Sequence, residues 1–299
     1  MNFFNELSNN SKGIVYAILT CFFVSIMIAI ARHLSSDFHV FFIVMMRNLF
    51  AFLMFVPLMI KTRNALFKTD KFHLHFWRSV NGLAGMLLWF YVITLAPLPE
   101  AVSFTFVVPI ITTLAAMFFL KEKVSKNIWI SLAIGMVGIL IIIRPGFKEF
   151  NIAYVLAFIT TILWSITNIL IKVMTKTEKP QTIVAYMSFI ILILSLPFGL
   201  MHMEALTLND VFWLVLLGIC SNLSHISMSN SYLHADLSVV QPFDFVRLIF
   251  ISIIAYFAFG EVLDVYTLIG SIIIMTGVIF VAPKRNKPYT ELIDIKNQI

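Results

Sequence analysis

Hydrophobic residues in this chain come in long unbroken runs, and the polar residues collect in short gaps between them. Ten runs of about 18–24 residues have the length of a helix that crosses a bilayer. They lie at about 13–31, 40–60, 75–95, 99–120, 127–144, 152–172, 182–201, 210–232, 236–259 and 265–283. The runs do not alternate apolar with polar positions, which excludes a closed strand barrel. The pattern predicts an all-α integral membrane protein of ten transmembrane helices.

The pattern also repeats. Residues 17–34, AILTCFFVSIMIAIARHL, align without a gap onto residues 157–174, AFITTILWSITNILIKVM, at an offset of 140. Ala17/Ala157, Thr20/Thr160, Ser25/Ser165 and Ile26/Ile166 are identical, and Arg32/Lys172 keeps a terminal charge. The same offset carries Pro57 onto Pro197. Phe76-Trp77 and Gly82 recur as Phe212-Trp213 and Gly218 at offset 136. Glu122 with Gly138 and Glu261 with Gly277 share a spacing of sixteen. Five spans per copy is an odd number, so the second copy enters the bilayer from the opposite side. The prediction is a pair of inverted repeats, 13–145 and 152–283, followed by a cytoplasmic tail at 284–299.

Composition agrees. Of 299 residues 60% are hydrophobic and 12% are charged, with mean hydropathy +0.96; a soluble domain carries about one-quarter charged residues. The first run continues to spanning length with no small-residue cleavage site after it, and is expected to be a retained helix. The net charge of +6 would suit nucleic acid, but the basic residues lie mostly in short loops, so no nucleic-acid role is expected. With the N-terminus inside, the cytoplasmic side holds Lys12, Lys61, Arg63, Lys68, Lys71, Lys121, Lys123, Lys126, Lys172, Lys176, Lys179, Lys284, Arg285, Lys287 and Lys296, fifteen residues in all. The outside holds three: Arg32, Arg144 and Lys148. That bias places both termini in the cytoplasm. Cys21 and Cys220 sit inside apolar runs and are expected to be small buried hydrophobes.

Ten spans, the five-plus-five duplication, and a glutamate after spans 4 and 9 followed by a glycine-bearing span resemble the drug/metabolite transporter superfamily in its EamA-type branch. Within it, QPFDFVRLIFISIIAYFAFGE at 241–261 resembles the ninth span of S-adenosylmethionine uptake carriers of intracellular bacteria. The resemblance implies a multi-pass inner-membrane secondary transporter working by alternating access. It needs no cofactor or metal, and a homodimer is compatible with it. Span 4 carries Pro109 where span 9 has Leu248, with Pro242 earlier, so these two spans are expected to bend differently.

Polar groups within a bilayer are costly and need a reason. Arg47 lies seven residues into span 2. It is either a fork for a substrate carboxylate or a structural cap. Asp244 and Arg247 are three apart and share a helix face, either as a self-neutralising pair or as a carboxylate that meets a cationic substrate. Ser221, His225, Ser229 and Tyr232 line one face of span 8, with His225 a proton relay or a packing residue. Trp164 and Asn168 share a face of span 6, and span 3 offers Asn81, Trp89 and Tyr91; an aromatic face can stack on a purine or hold a cation. Glu100 marks the outer end of span 4. The candidate substrate site is therefore Arg47, Trp89, Trp164, Asn168, Ser221, His225, Asp244 and Arg247. No phosphate-binding loop of the GxxxxGK[ST] type and no catalytic set is present, so an enzyme is not expected. The expected partner is a small polar or zwitterionic metabolite, with S-adenosylmethionine first on resemblance, and an amino-acid or drug exporter of the same fold second.

Overall fold

The fold is taken from a computed structural model that describes residues 7–62, 65–95, 105, 107–143, 152–260 and 265–281. The tail at 284–299, the start of span 4, and Arg63, Glu100, Arg144, Lys148 and Glu261 lie outside the described residues. Every described element is helical. In chain order they are α1 (Asn9–Leu34), α2 (Val40–Leu53), α3 (Val56–Lys61), α4 (Phe72–Leu95), α5 (Val108–Phe119), α6 (Lys126–Ile143), α7 (Ile152–Met174), α8 (Pro180–Met201), α9 (Leu208–His234), α10 (Leu237–Val240), α11 (Arg247–Phe259) and α12 (Val265–Val281). Short 3₁₀ turns cover Ala65–Phe67 and Gln241–Val246.

Among the described residues, six segments are long and apolar enough to cross a membrane: Asn9–Leu34, Val40–Lys61, Val155–Met174, Pro180–Met201, Leu208–His234 and Leu237–Ala258. Val108–Phe119, Lys126–Ile141 and Leu268–Gly277 are shorter apolar helices.

Two of the runs read as single spans are interrupted. The run at 40–60 turns at Met54–Phe55 and resumes as α3 with Pro57 in its first turn. Its repeat partner Pro197 instead stays inside unbroken α8. The run at 236–259 divides into α10, the 3₁₀ turn and α11, with Pro242 in the first turn of the 3₁₀ segment. A proline has no N–H to continue the ladder and disfavours helix in the residue before it. Pro109 likewise sits in the first turn of α5.

Lipid gives helices no hydrophobic reason to associate, so close backbone approach and buried polar bonds must hold them. Helix α1 packs on α9 and α11, α2 on α8 and α9, α4 on α7 and α8, α5 on α7, and α6 on α12. Glycines make several of these contacts. A Cβ on Gly138 would lie 2.8 Å from the Gly270 carbonyl oxygen, and one on Gly218 2.8 Å from the Phe50 Cβ. Polar bonds join the same pairs: Ser231 donates to the Gly13 carbonyl at 2.8 Å, and Asn222 Nδ2 to the Ala51 carbonyl at 2.7 Å. Ser25 Oγ reaches the Arg247 carbonyl at 3.2 Å and Ser165 Oγ the Val108 carbonyl at 3.5 Å. Cys21 and Cys220 are both buried.

Candidate functional site

The expected site residues fall into three groups, on different helix contacts. The first is basic. Arg47 from α2 and His225 from α9 are joined by Arg78 from α4, and His75 lies one turn before Arg78. Arg78 is 2% exposed and His75 1%. Arg47 and Arg78 repel each other, both act on His225, and Arg78 acts on His75. The Arg47 and Arg78 Nε atoms, both His75 ring nitrogens, His225 Nδ1 and the hydroxyls of Ser221 and Ser229 are buried without a hydrogen-bond partner. The ring of His75 stacks on Tyr186 with centroids 4.3 Å apart. Tyr186 in turn donates to the Phe67 carbonyl at 2.6 Å. Arg47 and His225 are both half-buried.

The second group surrounds the 3₁₀ turn. Arg247 and Asp244 form an ion pair at 3.1 Å. The break between the 3₁₀ turn and α11 puts these two carriers of charge side by side at the start of α11. Cys21 Sγ lies 3.4 Å from the Phe243 carbonyl, and Gln241 Nε2 donates to the Tyr232 hydroxyl at 3.3 Å. Asp244 exerts its field on Cys21 and Tyr232.

The third group is aromatic. Trp89 and Trp164 pack together with ring centroids 5.6 Å apart and their planes tilted by 51°. A Cβ on Gly85 would lie 2.9 Å from the Trp164 ring, so a side chain there would force the ring to shift. Asn81 anchors the crossing by donating to the Leu163 carbonyl and to Thr167 Oγ1, the latter at 2.7 Å. Asn168 Nδ2 reaches Thr112 Oγ1 on α5 at 3.4 Å.

The structure thus joins Arg47 with His225, Trp89 with Trp164, and Asp244 with Arg247, and places Asn168 at the α5–α7 contact. Neither His75 nor Arg78 is singled out by the sequence. Its burial follows from the packing of α4 against its neighbours, which no local pattern announces. The one local signal was Arg78 six residues inside a helix that continues into apolar residues.

A cleft of about 300 Å³ opens at the other end of α9, lined by Leu120, Glu122, Lys172, Thr175, Lys176, Tyr232, Leu233 and Asp236. The Glu122 carboxylate accepts the N–H groups of Leu237 and Ser238 at 3.0 and 2.9 Å, capping α10. Lys172 Nζ donates to the Tyr232 and Ala235 carbonyls at 2.7 Å each, satisfying the end of α9, and sits 3.8 Å from Asp236.

The EamA-like transporter family matches the chain twice, at residues 11–144 and 151–282. An S-adenosylmethionine uptake transporter of Rickettsia bellii (strain RML369-C) is 24% identical over 97% of this chain and 99% of its own. One from Rickettsia prowazekii (strain Madrid E) is 23% identical over 95% and 96%. A riboflavin transporter of Brucella anthropi is 30% identical over 66% of this chain and 72% of its own. A solved crystal structure, 13% identical, superposes with a TM-score of 0.78 over 91% of this chain and 96% of that one, a likeness of fold alone. The chain belongs to the EamA-like transporter family, as a multi-pass transporter of the bacterial inner membrane.

Proposed function

We propose that the chain is a secondary transporter of ten spans in two inverted repeats, 13–145 and 152–283, and that it takes up S-adenosylmethionine by alternating access. The observation that carries the cargo is length. The Rickettsia uptake transporters align over nearly all of both chains, whereas the riboflavin transporter aligns over 66% of this one.

Symmetry supports the inverted repeat. Exchanging the halves turns the α1–α9 contact into α7–α4, and α1–α11 into α7–α5, all of which occur. The repeat-matched serines Ser25 and Ser165 each bond a carbonyl across the opposite helix pair, Arg247 and Val108. The interface between the halves is where such carriers hold cargo. The chemistry there suits the parts of S-adenosylmethionine: guanidinium for its carboxylate, the Trp89–Trp164 pair for its adenine, and Asp244 for its cationic groups once the pair with Arg247 opens. A homodimer and a cytoplasmic tail at 284–299 belong to the same reading.

Uptake of labelled S-adenosylmethionine into cells expressing the chain tests the cargo. No uptake above control by protein shown to be inserted would sink it. Riboflavin is the second reading, on the Brucella relative and the tryptophan pair, and labelled riboflavin in the same cells separates the two. Efflux from preloaded cells tests the amino-acid or drug exporter.

A further inference from the structure

The cleft of about 300 Å³ at the end of α9 differs from the buried polar groups between the spans, because it has room for a ligand. Both halves of the chain build it. Glu122 follows α5 of the first half, and Lys172, Lys176, Tyr232 and Asp236 belong to the second. The loop charges assign this end to the cytoplasmic side. Two ammonium and two carboxylate groups line it, so it favours neither a pure anion nor a pure cation.

The four charges differ in what they can still bind. Each Glu122 oxygen is committed to an amide, of Leu237 or Ser238, at 3.0 and 2.9 Å. Lys172 Nζ directs two of its three N–H groups to the Tyr232 and Ala235 carbonyls at 2.7 Å each. Those bonds fix the ammonium and leave the third N–H for a further acceptor. Asp236 stands at the N-cap position of α10 but makes no cap bond there. Its carboxylate is 60% exposed and lies 3.8 Å from Lys172 Nζ, too far for a hydrogen bond. Lys176, four residues after Lys172, is exposed. An open carboxylate beside two ammonium donors is completed by a ligand that carries one charge of each sign.

We propose that this cleft binds an α-amino-acid group, with its ammonium on Asp236 and its carboxylate on Lys176 and the third N–H of Lys172. The volume sets the size. About 300 Å³ is the low end for a small-molecule site, enough for a free amino acid or for the amino-acid end of a larger cargo. Tyr232 connects the cleft to the interior: it lines the cleft, and its hydroxyl accepts from Gln241 of the 3₁₀ turn that carries Asp244. The role of the site rests on the carrier reading above, as a cytoplasmic station for the amino-acid end of the cargo. Its chemistry does not depend on that role.

The test is ligand protection of a cysteine at the rim, in the purified full-length chain. Leu233 lines the cleft and is 45% exposed; Leu233→Cys is made with Cys21 and Cys220 replaced by alanine. L-methionine and S-adenosylmethionine are expected to slow its reaction with maleimide in a saturable way. N-acetylmethionine, methionine methyl ester and adenosine, which lack one or both charges, are not. Asp236→Asn and Lys176→Gln should each weaken protection by methionine roughly five- to tenfold, the loss of one partly exposed charge-assisted bond. Met201→Cys, 80% exposed on α8 and outside the cleft, should react at one rate with and without ligand. Protection by methionine but not by S-adenosylmethionine upholds the site and assigns it to a free amino acid. No protection by either zwitterion overturns the proposal. So do equal protection by the singly charged analogues, protection undiminished in both variants, or an equal slowing of Met201→Cys. Uptake of labelled S-adenosylmethionine is read separately. Uptake without protection sinks the site and leaves the transport reading standing, and protection without uptake does the reverse.

Discussion

Glu122 joins the two halves of the chain through a helix end that has no other cap. Asp236 occupies the N-cap position of α10 but makes no side-chain cap bond there. Its place is taken by a carboxylate that accepts from the buried Leu237 and Ser238 amides at 3.0 and 2.9 Å. Hydrogen bonds to a charged partner are worth about 1.5–3 kcal/mol each, and an orphaned buried donor costs about 1–3 kcal/mol. Glu122→Gln keeps one neutral oxygen acceptor and loses the charge, which should cost about 1.5 kcal/mol. Glu122→Ala strands both donors and should cost about 3 kcal/mol. If the contact holds this end of the molecule closed, an open form becomes about tenfold more populated in the first variant and about a hundredfold in the second.

Thr175 lines the same cleft and is 5% exposed, so a cysteine there reports opening. The native thiols Cys21 and Cys220 are buried and are replaced by alanine in the background. The labelling rate of Thr175→Cys by a hydrophilic maleimide, applied to inside-out vesicles, should rise in the order parent, glutamine, alanine. A second reporter at Ser188, 0% exposed and away from the cleft, should stay protected. Equal Thr175→Cys rates in all three backgrounds would refute the reasoning, because the carboxylate would then not be what closes the cleft. A parallel rise at Ser188 would refute it too, by showing general loosening.

Four further outcomes follow from local geometry. Lys121 holds φ 57° without being glycine, where its repeat partner Gly260 has φ 66°; Lys121→Gly should raise thermal stability by about 0.5–1 kcal/mol, and a drop in melting temperature refutes the strain. Gly138→Ala forces a methyl to 2.8 Å from the Gly270 carbonyl oxygen and Ile274 and should cost about 1–3 kcal/mol, whereas Gly82→Ala, with nothing within 4 Å, should be neutral or stabilising. Burial and the stacked His202 ring, 3.7 Å away, hold His39 below its usual 6.5 against the pull of Glu204. Its stabilising contribution is therefore present above 6.5 and is lost as pH falls through the lowered value, and an NMR titration of His39 at or above 6.5 contradicts this. A double-mutant cycle of Asp244→Asn with Arg247→Gln should give a coupling of about 1–3 kcal/mol in thermal stability, and additive losses would show that the 3.1 Å pair is not energetically joined.

The scaffold was legible because each span must bury a continuous apolar surface, and hydropathy reads that directly. The ends of α1, α4, α8 and α9 fall within a few residues of the expected runs. What hydropathy missed was the state of the chain inside a run. Residues 236–246 are apolar enough for a helix, yet Pro242 and the Glu122 cap divide them into α10 and a 3₁₀ turn. Glu122 itself reads as an ordinary residue after a helix, since its partners lie 115 and 116 positions away. Pro57 and Pro197 are equivalent in sequence, but only Pro57 breaks its helix. The difference lies in what surrounds each turn and not in the proline.

The candidate site divides along the same line. Pairs within one element, such as Asp244 with Arg247, are read from spacing, because three residues on a helical segment fix their separation. Groups assembled across elements are not. Trp89 and Trp164 were both visible as candidates, but their ring contact depends on Gly85 leaving room at the α4–α7 crossing. Arg78 has no acidic partner at helical spacing that would single it out. Here α4 starts six residues earlier, at Phe72, and its neighbours bury the guanidinium to 2% exposure. An arginine so enclosed, with no carboxylate paired to it among the described residues, is a charge that the bundle leaves uncompensated. A carrier needs such a group. A fully satisfied interior would bind nothing, and a site that is completed only by its ligand gains the most from taking one up.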